Sequence, residues 1–174
     1  MDDLKKYIRE VPDFPKPGIR FYDVTTLFES PEGFHKTLDL MQDYLTGIRA
    51  EKVVAVESRG FVLGAALADR MSLPLVLVRK PGKLPYESIR ESYELEYGTD
   101  SLEIHVDTVG RGERVAVVDD LIATGGTLLA TCRMVERLGG VVAGISAVIA
   151  LTYLPFAEKL AAYDVNYLVT FESE

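Results

Sequence analysis

The segment 115–127 constrains this chain most, because an apolar run, two acidic residues and a glycine-rich turn follow one another there without a break. Residues 115–118 are apolar and mostly β-branched, which is typical of a strand buried on both faces of a parallel sheet. Open α/β sheets bind ligands outside the carboxyl ends of their strands. The segment therefore predicts a binding site at one edge of a sheet.

The residues after this strand suit a sugar phosphate. Asp119 and Asp120 are hydrogen-bond acceptors when ionised, so they can bind the vicinal hydroxyls of a ribose. The turn that follows can expose main-chain N–H groups to a phosphate at the start of a helix; it consists of Thr124, Gly125, Gly126 and Thr127. Taken singly, the acidic pair could only cap a turn, and the glycine pair could only permit a tight connection.

A helix is predicted directly after the turn. Leu128, Cys132, Val135 and Leu138 are spaced by four, three and three residues, and two glycines at 139–140 end the pattern. No Walker A string occurs, and no G-x-G-x-x-G motif follows a predicted strand. A P-loop nucleotide site and a dinucleotide-binding Rossmann domain are therefore disfavoured.

Charge and length narrow the class of protein. The net charge of −8 and pI near 4.9 argue against a general affinity for nucleic acid or for an anionic membrane. The 174 residues suit one domain, 1–174, without an evident linker. The sequence shows neither a signal peptide nor an apolar run long enough to cross a membrane, and its one cysteine cannot form an internal disulfide. We therefore expect a cytoplasmic protein. Cys132 is expected to be a core thiol, and no Cys/His spacing indicates zinc.

Strands and helices alternate along the chain. Ser30 and Pro31 are typical of an N-cap and first helical residue. Strands are predicted over Lys52–Val56, Leu75–Val78 and Val141–Leu151, with a helix over Gly60–Met71. This order predicts an α/β fold with a parallel sheet flanked by helices. Residues 80–91 contain two prolines and a glycine, which predict a mobile loop, and 93–106 predict two strands that turn near 98–101.

At this point the chain resembles a known family. The segment 115–127 is similar to the phosphoribosyl-pyrophosphate signature of type I phosphoribosyltransferases. Four further ordered stretches resemble the adenine phosphoribosyltransferases in particular, namely 13–18, 57–61, 79–85 and 93–104. The resemblance covers most of 11–152. It implies the type I phosphoribosyltransferase fold, with a small hood from about 1–30 and the C-terminal region, and a flexible lid at about 80–97.

The resemblance implies transfer of a 5-phosphoribosyl group from phosphoribosyl pyrophosphate to adenine, which gives AMP and pyrophosphate in purine salvage. It implies Mg²⁺ held mainly by substrate and water, without a certain protein ligand, and a homodimer. The residues implied to bind phosphoribosyl pyrophosphate are Asp119, Asp120, Ala123, Thr124, Gly125, Gly126, Thr127, Ser58, Gly60, Arg79, Lys80 and Lys83. Ser58, Arg59 and Gly60 would form the pyrophosphate loop, where the family often has a cis non-proline peptide.

Three residues are implied to act in catalysis. Arg59 would neutralise the leaving pyrophosphate, Glu96 would exchange a proton with the adenine ring, and Tyr97 would close over the site. Arg59 could instead be a solvated residue that opens a helix. Glu96 could be a surface strand residue, and the cations at 79–83 could belong to an ordinary charged loop.

The resemblance places adenine against Phe21 and Leu151, with main-chain groups near Arg20 and Tyr22 reading its polar edge. Phe21 and Leu151 could equally be core residues. The family often has Arg where Tyr22 stands and Glu at position 150, which is Ala here. These departures make the base pocket less certain, and transfer to another purine stays open as an alternative. A non-catalytic sensor of phosphoribosyl pyrophosphate is a second alternative, of a different class.

Overall fold

The computed structural model describes residues 2–94 and 98–172. In chain order these residues form a 3-10 helix (Asp2–Tyr7), β1 (Arg9–Val11), β2 (Phe21–Asp23), α1 (Thr25–Glu29), α2 (Pro31–Gly47), β3 (Lys52–Val56), α3 (Gly60–Met71), β4 (Leu75–Val78), β5 (Ser88–Glu94), β6 (Thr99–His105), β7 (Arg114–Ile122), α4 (Gly126–Arg137), β8 (Val141–Leu151), α5 (Phe156–Lys159) and β9 (Val165–Phe171).

A parallel sheet lies at the centre of the molecule. Its strand order is β4-β3-β7-β8-β9, and all four neighbouring pairs are parallel. The apolar residues of β3 and β7 are buried because helices cover both faces of the sheet. The predicted α/β class with a helix-flanked parallel sheet is confirmed.

Each face of the sheet has its own apolar core. One face packs against the 3-10 helix, α1, α2 and α3, and its core includes Leu4, Leu27, Met41, Leu45, Leu63, Leu67, Ala116 and Val118. The other face packs against α4, α5 and the β5–β6 hairpin, and its core includes Leu102, Ile104, Val117, Leu128, Met134 and Phe156. The hairpin is thereby fixed beside the helix that follows the glycine-rich turn.

Several predicted elements are confirmed at their bounds. β3, α3, β4 and β8 begin and end at the predicted residues. The Ser30 hydroxyl accepts a hydrogen bond from the Gly33 N–H at 3.1 Å, so Ser30 caps α2 as predicted. Helix α4 ends at Arg137 with Leu138 as its C-cap, and the next residue, Gly139, has a φ of +92° that glycine adopts easily.

The strand predicted over 115–118 is longer than expected. β7 continues to Ile122, so Asp119 and Asp120 lie within the strand. β3 ends at Val56, but β8 continues beside β7 and pairs Leu121 with Ile149. The backbone partners supplied by β8 extend the strand past the acidic pair.

The predicted loop and turn after β4 also need correction. Residues 88–91 belong to β5, and its partner strand β6 begins at Thr99, before the end of the predicted turn. Ile89 and Tyr93 pack against the α4 side of the core. The register between β5 and β6 and the packing of alternate side chains override the local loop signal of the prolines.

The two ends of the described chain meet on one side of the molecule. β1 and β2 form a separate antiparallel pair. Tyr22 of β2 stacks on Phe171 of β9, with ring centroids 3.7 Å apart. The hood predicted from these regions stays a prediction, as does the single-domain division of the chain. None of the described helices has the length and apolar character needed to cross a membrane.

Candidate active site

A cavity of about 650 Å³ lies at the carboxyl ends of β3 and β7. Its described wall comes from the ends of these strands, the turn before α4, the loop after β4 and the hairpin. The lining residues are Glu57, Ser58, Arg59, Lys80, Tyr93, Leu102, Leu154 and residues 119–128. The structure thus brings together, around one cavity, the acidic pair, the whole 123–127 turn, Ser58, Arg59 and Lys80, and the roles predicted for them stay predictions.

The amino end of α4 forms one wall of the cavity. Gly125 precedes the helix with φ of +78°, and no side chain caps the helix. A Cβ on Gly126 would lie 3.2 Å from the Glu94 carbonyl oxygen, so glycine lets the turn pass close to the hairpin. Main-chain N–H groups in the first turn of a helix have no intrahelical acceptor and attract anions. This end of α4 suits a phosphate.

Asp119 and Asp120 form an acidic wall close to this helix end. Their residues are only 8% and 6% exposed. The Asp120 N–H donates to Asp119 Oδ1 at 2.8 Å. Burial, and then the neighbouring Asp120 charge, raise the pKa of Asp119 well above its ordinary value. Hydrogen-bond donors such as sugar hydroxyls would stabilise the ionised form of this pair.

Arg59 and Gly60 bring the start of α3 against the acidic pair. Arg59 Nε donates to Asp120 Oδ2 at 2.6 Å, and its guanidinium lies over the Phe21 ring, 5.7 Å from the centroid. A Cβ on Gly60 would lie 2.9 Å from Asp119 Oδ1. Only glycine therefore allows α3 to begin so close to β7. The Glu57–Ser58 peptide is cis, which the resemblance implies for this loop.

The basic side chains of the loop 79–83 are paired with two carboxylates, those of Glu57 and Asp100. Arg79 Nε and Lys83 Nζ donate to Glu57 at 3.3 and 2.6 Å. Lys80 Nζ donates to Asp100, and it lies 3.4 Å from the Tyr93 hydroxyl. Lys80 lines the cavity, whereas Arg79 and Lys83 do not and instead hold Glu57 at its wall.

Ion pairing also sets the protonation of these carboxyl groups. Burial of Glu57 alone would raise its pKa. The hydrogen bonds that its carboxylate accepts, above all the one from Lys83, hold the pKa below the ordinary value. The hydrogen bond from Lys80 lowers the pKa of Asp100 in the same way. Both groups are therefore ionised at neutral pH, and an anionic ligand would compete with them for the cations.

None of the four residues predicted to bind adenine lines the described cavity. Arg20 forms an ion pair with Glu10 at 3.0 Å. Phe21 contacts the Arg59 guanidinium, Tyr22 is buried against Phe171, and Leu151 is buried in the core at the end of β8. Their contact with adenine stays a prediction.

Sequence reasoning gave no role to Glu57, Tyr93 or Asp100. Glu57 could have been predicted as a site residue because it directly follows a predicted strand, and ligands bind at the carboxyl ends of the strands in such a sheet. Tyr93 and Asp100 meet Lys80 only through hairpin pairing, which local sequence does not reveal. Glu96 and Tyr97 lie outside the described residues. Within the described chain, no group of three or more His, Cys, Asp or Glu could hold a metal ion.

Comparisons with known proteins point to one family. Residues 23–163 match the phosphoribosyl transferase domain family. The adenine phosphoribosyltransferase of Solibacter usitatus is 51% identical over 172 residues, which cover 99% of each chain. The crystal structure of the Thermoanaerobacter pseudethanolicus adenine phosphoribosyltransferase has a TM-score of 0.94, with 48% identity and coverage of 98% of this chain and 99% of that chain.

A more distant relative has been solved with ligands. The adenine phosphoribosyltransferase of Saccharomyces cerevisiae, in complex with an imino-altritol bisphosphate and adenine, has a TM-score of 0.92 at 36% identity and covers 97% of each chain. Sequence and fold agree over almost the whole length. This chain therefore belongs to the phosphoribosyltransferase family, among the adenine phosphoribosyltransferases.

Proposed function

We infer that this protein transfers the 5-phosphoribosyl group of phosphoribosyl pyrophosphate to adenine, forming AMP and pyrophosphate in purine salvage. The observation that carries this function is the meeting, in one cavity, of a buried acidic pair, an uncapped helix N-terminus and two basic side chains, those of Arg59 and Lys80. Full-length relatives about 50% identical are adenine phosphoribosyltransferases. Each part of this cavity suits one part of phosphoribosyl pyrophosphate.

The sugar phosphate is assigned to the α4 side of the cavity. The 5′-phosphate accepts hydrogen bonds from main-chain N–H groups of 123–127, which the free helix end supports. Asp119 and Asp120 accept hydrogen bonds from the ribose hydroxyls. The high pKa of Asp119 in the free protein supports this role, because a buried carboxylate gains from such donors.

The pyrophosphate is assigned to the neighbouring part of the cavity, near Ser58, Arg59, Gly60 and the basic loop. Arg59 and Lys80 line the cavity there, and Arg79 and Lys83 lie directly behind Glu57. Adenine is assigned to Arg20, Phe21, Tyr22 and Leu151. Phe21 supports this assignment, because its ring already contacts the cavity residue Arg59.

In the reaction, an adenine ring nitrogen attacks C1 of the pentose while the bond from C1 to pyrophosphate breaks. The electron pair of that bond leaves with pyrophosphate, and positive charge develops on the sugar. Arg59 stabilises the leaving group and the acidic pair fixes the sugar, so catalysis consists mainly of alignment and electrostatic stabilisation. Glu96 takes the proton that adenine loses, and Tyr97 helps to exclude water.

Mg²⁺ fits this site as an ion carried by the substrate. Mg²⁺ commonly binds one or two carboxylates together with substrate phosphates and water. Asp119 and Asp120 are two carboxylates on the wall where the sugar phosphate is assigned, and they are the residues that would hold it. Bound there, the ion would neutralise negative charge on the diphosphate.

The homodimer and the cytoplasmic location also stay predictions. An apolar patch on one edge of the molecule supports a dimer. Val62 of α3 and Leu75 and Leu77 of β4 are exposed, and β4 is the outer strand of the sheet. Leu77→Glu should turn a dimer into a monomer by light scattering, whereas a wild-type protein that is already monomeric would contradict the prediction.

One assay tests the function directly. Purified protein is incubated with phosphoribosyl pyrophosphate, Mg²⁺ and adenine, hypoxanthine or guanine in turn, and nucleotides are separated by ion exchange. We expect AMP with adenine and little or no product with the other two bases. Efficient formation of IMP or GMP would indicate another purine, and binding of phosphoribosyl pyrophosphate without any nucleotide product would indicate a sensor.

A further inference from the structure

We propose that Glu57 is a positioning residue, which fixes Lys80 at the cavity wall so that Lys80 can bind the pyrophosphate group of the substrate. The inference rests on the proposed function for the identity of that anion. Glu57 directly follows β3, and its N–H donates to the Val78 carbonyl oxygen at 3.0 Å. Its carboxylate therefore extends from the end of the central sheet, which is a rigid support.

The Glu57 carboxylate binds three donors from the loop 79–83. Oε2 accepts the Lys80 main-chain N–H at 2.9 Å and Arg79 Nε at 3.3 Å. Oε1 accepts Lys83 Nζ at 2.6 Å. The side chain is only 11% exposed, so these bonds replace most of its contact with water. Glu57 thus fixes the backbone of Lys80 and both flanking cations together.

The far side of the loop is held by Glu103 of β6. Arg79 and Glu103 exchange main-chain hydrogen bonds of 3.0 and 2.8 Å, and the Glu103 carboxylate accepts the Gly82 N–H at 3.0 Å. With its backbone held from both sides, Lys80 reaches the cavity wall, where Asp100 and the Tyr93 hydroxyl hold its ammonium group.

The charges explain why a carboxylate is tolerated beside an anion site. Glu57 contributes one negative charge, while Arg79 and Lys83 contribute two positive charges in direct contact with it. These three side chains together therefore carry a net charge of +1. The Glu57 carboxylate only accepts hydrogen bonds, all of them from N–H donors of the loop, and it has no donor to offer a phosphate.

Glutamine cannot replace this carboxylate. A glutamine side chain has one acceptor oxygen, and its other terminal group is an NH₂ donor. In one orientation this NH₂ group would face the Lys83 ammonium, and in the other it would face Arg79 and the Lys80 N–H, so donors would meet donors. Glu57→Gln therefore loses charge-assisted bonds on at least one side. Glu57→Asp keeps both acceptor oxygens and the charge, but its side chain is shorter by one CH₂ group.

The test compares Michaelis constants in Glu57→Gln, Glu57→Asp and Lys80→Ala, with Glu113→Gln as a matched control. Glu113 also accepts a lysine ammonium and a main-chain N–H, at 2.7 and 2.8 Å, but it lies at the opposite end of the sheet. We expect Glu57→Gln to raise KM for phosphoribosyl pyrophosphate about tenfold. KM for adenine should stay unchanged, Glu57→Asp should restore part of the loss, and Glu113→Gln should change neither constant.

A double variant tests whether Glu57 acts through Lys80. Lys80→Ala alone should raise KM for phosphoribosyl pyrophosphate, and adding Glu57→Gln should raise it little further. Fully additive effects, or an unchanged KM in Glu57→Gln with an active wild type, would overturn the proposal and leave the proposed function intact. A wild type that forms no nucleotide would overturn both. If Glu57→Gln does not fold, Glu57→Asp and its combination with Lys80→Ala give the same comparison.

Discussion

Gly60→Ala is the smallest change that should damage the site. The added Cβ would lie 2.9 Å from Asp119 Oδ1, 3.1 Å from the Val118 carbonyl oxygen and 3.2 Å from the Asp119 Cα. Two of these three atoms belong to the main chain of the central strand β7, so they cannot move aside by a side-chain rotation. The start of α3, which carries Arg59, must shift instead.

The size of the effect follows from this crowding. Overpacking a tight contact typically costs about 1–3 kcal/mol of unfolding free energy. In a chain of this size each kcal/mol lowers Tm by about 2–4 °C, so Tm should fall by about 2–12 °C. Because the shift separates Arg59 from Asp120, KM for phosphoribosyl pyrophosphate should rise as well.

Thermal unfolding and steady-state kinetics measure both effects, with Gly47→Ala as the control. Gly47 is the last residue of α2, and a Cβ there would meet nothing within 4 Å. Alanine at such a helical position should stabilise the protein by about 0.4–1 kcal/mol and leave KM unchanged. If Gly60→Ala has the same Tm as Gly47→Ala and keeps the wild-type KM, the close approach of α3 to Asp119 is refuted.

Three further predictions follow from the geometry. Asp119→Asn should raise Tm at neutral pH and weaken binding of phosphoribosyl pyrophosphate, because asparagine keeps an acceptor for the Asp120 N–H and removes a buried charge. Since folding raises the pKa of Asp119, this residue contributes most to stability below its ordinary pKa of 3.8, and the contribution falls as pH rises through its pKa in the folded protein. The Tm difference between variant and wild type should therefore grow with pH. A difference that stays constant with pH would contradict this prediction. Arg59→Ala should lower kcat by about 100-fold or more, and a near-normal kcat would remove its role at the leaving group. Ser30→Ala should cost about 1 kcal/mol in denaturant unfolding through loss of the α2 cap, with unchanged kinetics; a shifted KM would show that α2 is coupled to the site.

Elements with strong local signals could be predicted from the sequence to the residue. β3 and β4 are short apolar runs between breakers, and α3 lies between Gly60 and the left-handed Ser72. Here hydrophobic pattern and local end signals agree with the tertiary fold. The glycine-rich turn is predicted as a helix start because this depends on adjacent residues only, although α4 begins at Gly126, inside the predicted turn 124–127.

Elements that depend on distant partners could not be predicted in this way. β1 and β2 have three residues each and exist because they pair with one another. β9 is absent from the sequence-based prediction, although it completes the sheet by pairing with β8. The extension of β7 past Asp119 likewise depends on β8, which local periodicity does not contain.

The candidate site shows the same division. Asp119, Asp120 and the turn are contiguous, so the sequence reveals them together. The ties of Arg79 and Lys83 to Glu57 join residues more than twenty positions apart. Sequence alone identifies these residues as cations of one loop, whereas the structure shows which carboxylate holds them.

The central claim is that the acidic pair and the start of α4 bind one sugar phosphate. A crystal structure of the protein with AMP tests it most directly. We predict phosphate oxygens about 3 Å from main-chain N–H groups of 123–127, and ribose hydroxyls at the same distance from Asp119 or Asp120. AMP bound with its phosphate away from this turn, and with neither aspartate contacting the ribose, would contradict the claim.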